Sequence, residues 1–368
     1  MISTLNAYLA KRIFIGILTA FSIIVGVIML IDFVETARGF DASASLFDII
    51  YLTLLNAPQL VEKTIPFIVL FGVMATLYSL NKQSEFIVIR AAGISAWSFL
   101  KPAISVTGLI GILWAVSFNP LAVKSAQKHD IIKGKLLKKN QSVTTQATIY
   151  PKSIWLREGD EEGYLNIHAR SVNIDTYTLY GVTFFQSVFI PDQGAQFISR
   201  YDAKTATLMP ENYWLLKHVT EYEDGKPTRY SEAISQPTTI NRQTLRTQSQ
   251  HNSNLSFWQI PSEISNAKLA GYDTTPLIIQ FHKLLALPIT LIAMTTIAAG
   301  VALHNVRSGG ALIMIIGVAS FGFLEYFLDN MVSAFGQAGT LPPVLAAWAV
   351  PLLVLFCGLA FLFKIEDG

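Results

Sequence analysis

The sequence predicts a membrane α-helical bundle of six transmembrane helices with one β-rich domain inserted between the third and the fourth. Three observations predict this fold class. The 368 residues are 52% hydrophobic and only 14% charged, whereas soluble proteins average about 25% charged residues. Six apolar runs are long enough to cross a hydrocarbon core, which takes about 20 helical residues. The longest stretch between them, 124–273, has frequent charges and alternating apolar residues.

The predicted spans cover roughly residues 13–34, 56–80, 97–120, 277–303, 309–333 and 341–363. The first has an alternative interpretation as a signal peptide, because Lys11 and Arg12 precede it and small residues follow it. Its uncharged run from Ile13 to Ile31 is longer than the apolar core of a signal, about 7 to 15 residues. We therefore interpret it as a membrane helix.

Alternating residues predict the strands of the inserted domain. Leu165, Ile167 and Ala169 fall on one face of a strand, and Trp214, Leu216, His218 and Thr220 alternate with their neighbours. Turn-forming residues at 158–160, 191–194 and 223–227 separate such runs. Several short strands at this spacing predict a β-sandwich or jellyroll of about a hundred residues.

The chain therefore divides into residues 1–123 with three spans, 124–273 with the β domain and its connectors, and 274–368 with three more spans. Basic residues in short loops predict the orientation. With a cytoplasmic N-terminus, the inner loops hold Lys11, Arg12, Lys82, Arg90, Lys101, Arg307 and Lys364, and the outer loops hold Arg38 and Lys63. Lysines at 124–139 argue the other way, but segments longer than about 60 residues translocate largely regardless of charge. We expect both termini in the cytoplasm and the β domain outside.

The sequence has no motif for nucleotide, metal or nucleic-acid chemistry. Gly134-Lys135 and Gly225-Lys226 lack the rest of a phosphate-binding loop, and the six histidines have no metal-ligand spacing. The net charge of +2 does not favour a nucleic-acid partner. We expect no cofactor in this chain, so any work that it does draws energy from a partner or an ion gradient.

The segment 82–93 lies between two uncharged runs, at 64–81 and 102–123. Ser84 suits a helix N-cap, Glu85 suits the positive end of a helix, and Gly93 suits its C-terminal end. A short helix at the membrane surface, with Glu85 and Arg90 facing water, would offer a docking surface to a soluble motor. A plain interhelical loop is the alternative.

A second group of candidates consists of charged residues near the outer ends of the spans, where charges usually face a bundle interior or a wet cavity. The group comprises Asp32, Glu35, Arg38, Glu62, Lys63, Lys283, Glu325 and Asp329. Its basic members suit the phosphates of an anionic lipid, although a lone lysine more often extends to the interface. For Glu325 we favour a position facing a cavity or a partner.

Several short stretches, distributed along nearly the whole chain, resemble those of a known family. They are Ile31-Asp32-Phe33-Val34, the segment Gln83 to Gly93, Lys283 with Pro288, Phe321-Gly322-Phe323, Leu328-Asp329 and Leu341-Pro342-Pro343. The order resembles the LptF/LptG family of lipopolysaccharide-export permeases, in which a periplasmic β-jellyroll separates two sets of three spans. The short N-terminus, Asp32 and the Leu-Pro-Pro turn are more similar to LptG than to LptF.

The resemblance implies a permease in the inner membrane of Gram-negative bacteria that pairs with an LptF-like subunit and an LptC-like membrane-anchored protein. An LptB-like ATPase dimer, which binds ATP and magnesium, would dock on the segment 82–93 and drive lipopolysaccharide out of a cavity. The coupling residues carried over are Ser84, Glu85, Phe86, Ile89, Arg90 and Gly93. The eight charged residues of the second group would line the cavity.

Two positions depart from the family pattern. Gln59 follows Pro58 where LptG relatives place a basic residue, with Lys63 one turn later, and Glu325 stands where the family commonly has an apolar residue. Other interpretations fit less of the chain. A lipoprotein-release permease would have four spans, a polytopic sensor or scaffold would need no ATPase, and an intramembrane enzyme would need a paired catalytic motif.

Overall fold

The computed structural model describes residues 2–40, 45–85, 88, 91, 96–139, 154–159, 163–173, 176–190, 194–223, 226–240, 242, 245, 255–269, 273–304 and 311–367. The chain forms two compact units. The helical unit comprises Met1–Asn140 and Leu255–Gly368, and the β unit comprises Gln141–Asn254. Helical residues 124–139 and 260–269 thus belong to the helical unit.

The helical unit contains eight α-helices among its described residues. They are α1 (Ile2–Arg38), α2 (Leu46–Lys82), α3 (Ala96–Leu113), α4 (Asn119–Lys139), α5 (Ile260–Leu269), α6 (Thr275–His304), α7 (Ala311–Gln337) and α8 (Pro343–Asp367). A π-helical turn, Trp114–Phe118, joins α3 to α4 without a break. Six segments are long and apolar enough to cross a membrane, with α3, the π turn and α4 forming the third. The predicted six-span fold with an inserted β domain is confirmed.

The helices of the first four predicted spans begin before and end after those spans, whereas α7 and α8 begin two residues inside their predicted spans and end beyond them. The start of α2 shows why, because Ser45 caps a helix that begins ten residues before the predicted position. The Phe47 amide donates to Ser45 Oγ at 3.4 Å, and the Ser45 amide donates to the Asp48 carboxylate at 3.3 Å. Such a capping box satisfies amides that have no partner within the helix. Helices of this protein therefore continue past the apolar stretch that defines a span.

Glycines allow the closest helix contacts in the helical unit. A Cβ built on Gly72 of α2 would lie 2.6 Å from Ile17 Cα of α1, and one on Gly111 of α3 would lie 2.6 Å from Pro288 Cα of α6. Small residues at contacts let backbones approach, and this packing stabilises helix association in lipid. The buried core lies mainly along α2 and α6, with Leu70, Leu77 and Leu291 fully buried.

The β unit is a six-stranded antiparallel sheet whose strands are neighbours in chain order. They are β1 (Ile154–Gly159), β2 (Gly163–Asn173), β3 (Thr178–Ile190), β4 (Gly194–Leu208), β5 (Tyr213–Glu223) and β6 (Lys226–Pro237). The predicted common face of Leu165, Ile167 and Ala169 on β2 is confirmed, and all three residues are buried.

The alternation predicted for β5 is only half right. Trp214 and Leu216 are buried on one face, but the next buried residue is Val219 and His218 is exposed. His218 has a φ of 54°, a left-handed backbone conformation that residues other than glycine seldom adopt. The turn of the backbone at His218 changes which residues face the core, and no alternation pattern reveals it.

The sheet curls so that residues next to its two edge strands meet. The Thr238 hydroxyl, just after β6, donates to the Glu158 carboxylate of β1. The same oxygen accepts the indole N–H of Trp214 at 3.1 Å and the amide of Ile240 at 3.1 Å. Burial raises the pKa of Glu158, and the hydrogen bond from Thr238 offsets part of this increase.

Candidate functional site

The segment after α2 turns sharply before a new helical turn begins. The Gln83 amide donates to the Ser79 carbonyl at 3.0 Å, which ends α2. Ser84 has a φ of 58°, and its carbonyl accepts the Val88 amide at 3.2 Å. Ser84 thus accepts an i, i+4 hydrogen bond from the segment that follows, although its backbone is left-handed rather than extended as in a common N-cap. Phe86, Ile89, Arg90 and Gly93 lie outside the described residues.

Glu85 contacts the N-terminal part of α1. The Tyr8 hydroxyl donates to Glu85 Oε2 at 3.0 Å and also lies 3.3 Å from Oε1. Arg12 Nε donates to the Tyr8 oxygen at 3.0 Å, and the Arg12 guanidinium lies 3.8 Å from Glu85 Oε1. The Glu85 side chain remains 31% exposed. One turn earlier, Asn81 Nδ2 donates to the Ala302 carbonyl of α6 at 3.0 Å, so the end of α2 is fixed to two other helices.

At the far end of α1, Asp32 makes one side-chain hydrogen bond. Asn56 Nδ2 of α2 donates to Asp32 Oδ1 at 2.8 Å. The other oxygen, Oδ2, is buried and has no hydrogen-bond partner within the part of the chain that the structure describes. Glu35 and Arg38 are exposed near the end of the same helix. Asp32 therefore packs against α2, whereas its two neighbours in the predicted cavity set face outward.

Glu62 belongs to a buried polar joint that sequence reasoning missed. Asn119 Nδ2 donates to Glu62 Oε1 at 2.7 Å, and Asn119 Oδ1 accepts the Phe257 amide at 2.8 Å. Asn119 is only 2% exposed, and its amide thus links α2, α4 and the segment before α5. Lys63, next to Glu62, is exposed, as expected of a lysine that extends to the interface.

A proline explains a second contact at this joint. Pro120 has no amide hydrogen, so the Val116 carbonyl four residues earlier has no i, i+4 donor. The Trp258 indole N–H donates to that carbonyl at 3.0 Å. The π-helical turn Trp114–Phe118 lies directly before this proline, and the Asn119 amide donates to the Trp114 carbonyl five residues earlier. The Asn119-Pro120 pair was the available sequence signal.

Lys283 of α6 and two carboxylates of α7 form the third group. Lys283 Nζ lies 2.6 Å from Asp329 Oδ2 in an ion pair. Glu325 is 6% exposed and lies close enough to Lys283 and Asp329 to interact with both electrostatically. Lys283 is therefore paired within the chain instead of extending alone to the interface.

The eight charged candidates thus form separate groups among the described residues. Lys283, Glu325 and Asp329 come together, Asp32 pairs with Asn56, and Glu62 pairs with Asn119. The exposed candidates are Glu35, Arg38 and Lys63. Of the three basic residues, Arg38 and Lys63 are the ones open to an anionic ligand. The described residues contain no group of three or more His, Cys, Asp or Glu that could hold a metal ion.

The sequence comparisons agree with this architecture. The family model for the lipopolysaccharide export system permease LptF/LptG matches residues 7–364. The chain is similar to the lipopolysaccharide export system permease protein LptG of Haemophilus influenzae, with 22% identity over 96% of this chain and 97% of the relative. It is also similar to LptG of Escherichia coli K12, with 22% identity over 93% of each chain. The chain belongs to the LptF/LptG family of lipopolysaccharide export permeases and is a multi-pass inner-membrane protein.

Proposed function

We propose that this chain is the LptG-like subunit of an ATP-driven transporter that extracts lipopolysaccharide from the inner membrane. The family match along residues 7–364 carries the proposal. In it, an LptB-like ATPase dimer binds ATP and magnesium, and an LptF-like permease and an LptC-like membrane-anchored protein complete the complex. Both termini and the segment 82–93 face the cytoplasm, and the β unit faces the periplasm.

The position of Glu85 supports coupling through the segment 82–93. Glu85 lies directly after the sharp turn at Ser84, and its side chain is partly exposed. An exposed carboxylate at the first turn of a helix suits a cationic group on a soluble partner. Ser84, Phe86, Ile89, Arg90 and Gly93 are proposed to complete this docking surface.

In the proposed cavity for lipopolysaccharide, the exposed basic residues and the paired residues have different roles. Arg38 and Lys63 are exposed and suited to lipid phosphates, whereas Lys283 already has Asp329 as its counter-ion. We propose that Asp32, Glu62, Lys283, Glu325 and Asp329 shape the cavity wall. Glu35, beside Arg38, is proposed to lie at the outer edge of the cavity.

Purification of the tagged full-length chain from native membranes, followed by mass spectrometry, tests the composition of the complex. The proposal predicts an ATPase, a second permease and a membrane-anchored protein in the eluate. It also predicts that Glu85→Ala abolishes lipopolysaccharide export while membrane insertion is retained. Glu211→Ala, which removes an exposed carboxylate of the β unit, is the matched control and should export normally. Purification without an ATPase would favour the sensor or scaffold.

Photocrosslinking tests the cavity separately. Photoreactive residues at Asp32, Lys63 and Leu328 should capture lipopolysaccharide in living cells. A position at Lys82, near the other end of α2, serves as the control and should not. Capture only near Lys82 would show that the cavity is assigned to the wrong end of the helices.

A further inference from the structure

Tyr8, Arg12 and Glu85 form a contact that no sequence pattern indicates, since 77 positions separate Tyr8 from Glu85. The Tyr8 hydroxyl uses both of its hydrogen-bonding roles, because it donates to Glu85 and accepts from Arg12 Nε. The Arg12 guanidinium also lies over the Tyr8 ring, 5.4 Å from its centroid. The tyrosine therefore links the arginine to the carboxylate.

The two α1 residues are held on a fixed part of the helix. Tyr8 and Arg12 are four positions apart, so they lie on one face of α1. Leu9 and Ile13, directly beside them in sequence, are fully buried in the core of the helical unit. Glu85 differs, because α2 has ended and the backbone has turned at Ser84. Its orientation relies on the contact with α1.

The same carboxylate can still receive another donor. An ionised carboxylate offers about four acceptor positions, and the side chain of Glu85 is 31% exposed. Arg12 is 44% exposed, so its ion pair is screened by water and weak. The contact therefore orients Glu85 without occupying all of it.

We infer that Tyr8 and Arg12 are positioning residues for coupling: they hold the Glu85 carboxylate toward the docked ATPase and connect the N-terminal end of α1 to its movement. The inference rests on the proposed function, in which Glu85 meets that ATPase. Span one is then joined to the motor through a shared carboxylate, and movement of the segment 82–93 reaches α1 as well as α2.

The test measures lipopolysaccharide released per ATP hydrolysed by the complete complex reconstituted in proteoliposomes. Tyr8→Phe removes one hydroxyl, and Arg12→Ala removes one charge. Lys11→Ala is the control, because it removes an equal charge from the neighbouring exposed position. We expect Tyr8→Phe and Arg12→Ala each to lower release per ATP by about two- to fivefold, the range of an exposed hydrogen-bonded ion pair. All three variants should still co-purify with the ATPase. The Lys11→Ala variant should release as much lipopolysaccharide per ATP as the wild type.

Double variants separate positioning from general damage to the fold. In a Glu85→Gln background, Tyr8→Phe and Arg12→Ala should cause little further loss, because groups that act through one carboxylate are not additive. Losses that add in full, or single variants with wild-type release per ATP, would overturn the inference. If these variants are wild-type while Glu85→Ala abolishes export, only the inference fails. If Glu85→Ala exports normally, coupling through Glu85 fails and the inference fails with it.

Discussion

The membrane spans differ in how much of each is buried within the chain. In the most apolar part of spans two and four, 56% and 67% of residues are buried, whereas in spans one and five the shares are 11% and 17%. Span one is nevertheless the most hydrophobic of the six. Hydropathy thus identifies segments that tolerate lipid and does not identify the core. In a bilayer, lipid is as apolar as leucine, so packing decides which faces contact protein.

Glycines show the same difference at atomic scale. Gly72 of α2 lies against the α1 backbone, whereas Gly26 of α1 and Gly317 of α7 have nothing within 4 Å of an added Cβ. The exposed faces of α1 and α7 carry large apolar side chains, among them Ile23, Leu30 and Phe323. Spans two and four therefore form the centre of the helical unit, and spans one and five leave most of their apolar surface exposed.

Two leucines provide the largest expected contrast. Leu291 of α6 is fully buried and Leu324 of α7 is 51% exposed. Leu291→Ala should lower the free energy of unfolding by about 2–5 kcal/mol, because it leaves a cavity in a packed core. The matched Leu324→Ala variant should change it by less than about 0.5 kcal/mol. Thermal unfolding of the purified chain in detergent measures both, and equal losses would contradict the assignment of centre and periphery.

A pair of glycines provides the next contrast. Gly72→Ala places a methyl group 2.6 Å from Ile17 Cα, a backbone atom that cannot move independently. Overpacking of this kind costs about 1–3 kcal/mol. Gly317→Ala meets no atom within 4 Å and should be neutral or stabilising, since alanine favours a helix by about 0.5–1 kcal/mol. Thermal unfolding in detergent measures both variants. An unchanged free energy of unfolding in Gly72→Ala would show that α1 and α2 are not so closely packed.

The buried amide at Asn119 predicts a smaller, local effect. Asn119→Ala leaves the Glu62 carboxylate and the Phe257 amide without this partner, at a cost of about 1–3 kcal/mol. Asn330→Ala, on the exposed surface of α7, removes only a bond to the carbonyl one turn earlier and should cost much less. Hydrogen exchange at the Phe257 amide should become faster in Asn119→Ala alone. Unchanged exchange there would show that the joint does not hold this segment.

Glu158 extends the comparison to the β unit and predicts the smallest effect. Burial raises its folded-state pKa, so its contribution to stability is fully present below the unfolded-state value of about 4.3 and is lost as pH rises through the folded-state pKa. Glu158→Gln cannot titrate and should remove this part of the pH dependence. Hydrogen exchange of the β1 amides at pH 4 and pH 7 measures it, with Glu232→Gln as the exposed control. An identical pH dependence in wild type and Glu158→Gln would contradict the raised pKa.

Local patterns in the sequence were sufficient to predict the spans and the common face of three residues on β2. The apolar runs that cross the bilayer and the alternation of Leu165, Ile167 and Ala169 are properties of neighbouring residues. The pairs that build the candidate sites join distant residues, such as Lys283 with Asp329 and Tyr8 with Glu85. Their charges were visible in the sequence, but which side chains meet depends on helix packing, which leaves no periodic signal.

Accessibility to a membrane-impermeant maleimide tests the central claim most directly, namely that force enters from the cytoplasm through the segment 82–93. The native Cys357 is exposed and is first replaced by serine. Single cysteines are then placed at Lys82, at the end of α2, and at Lys204, in the β unit, both exposed positions. In cells with a permeabilised outer membrane, Lys204→Cys should react at once and Lys82→Cys only after the inner membrane is opened. Immediate reaction at Lys82→Cys with protection at Lys204→Cys would contradict the account.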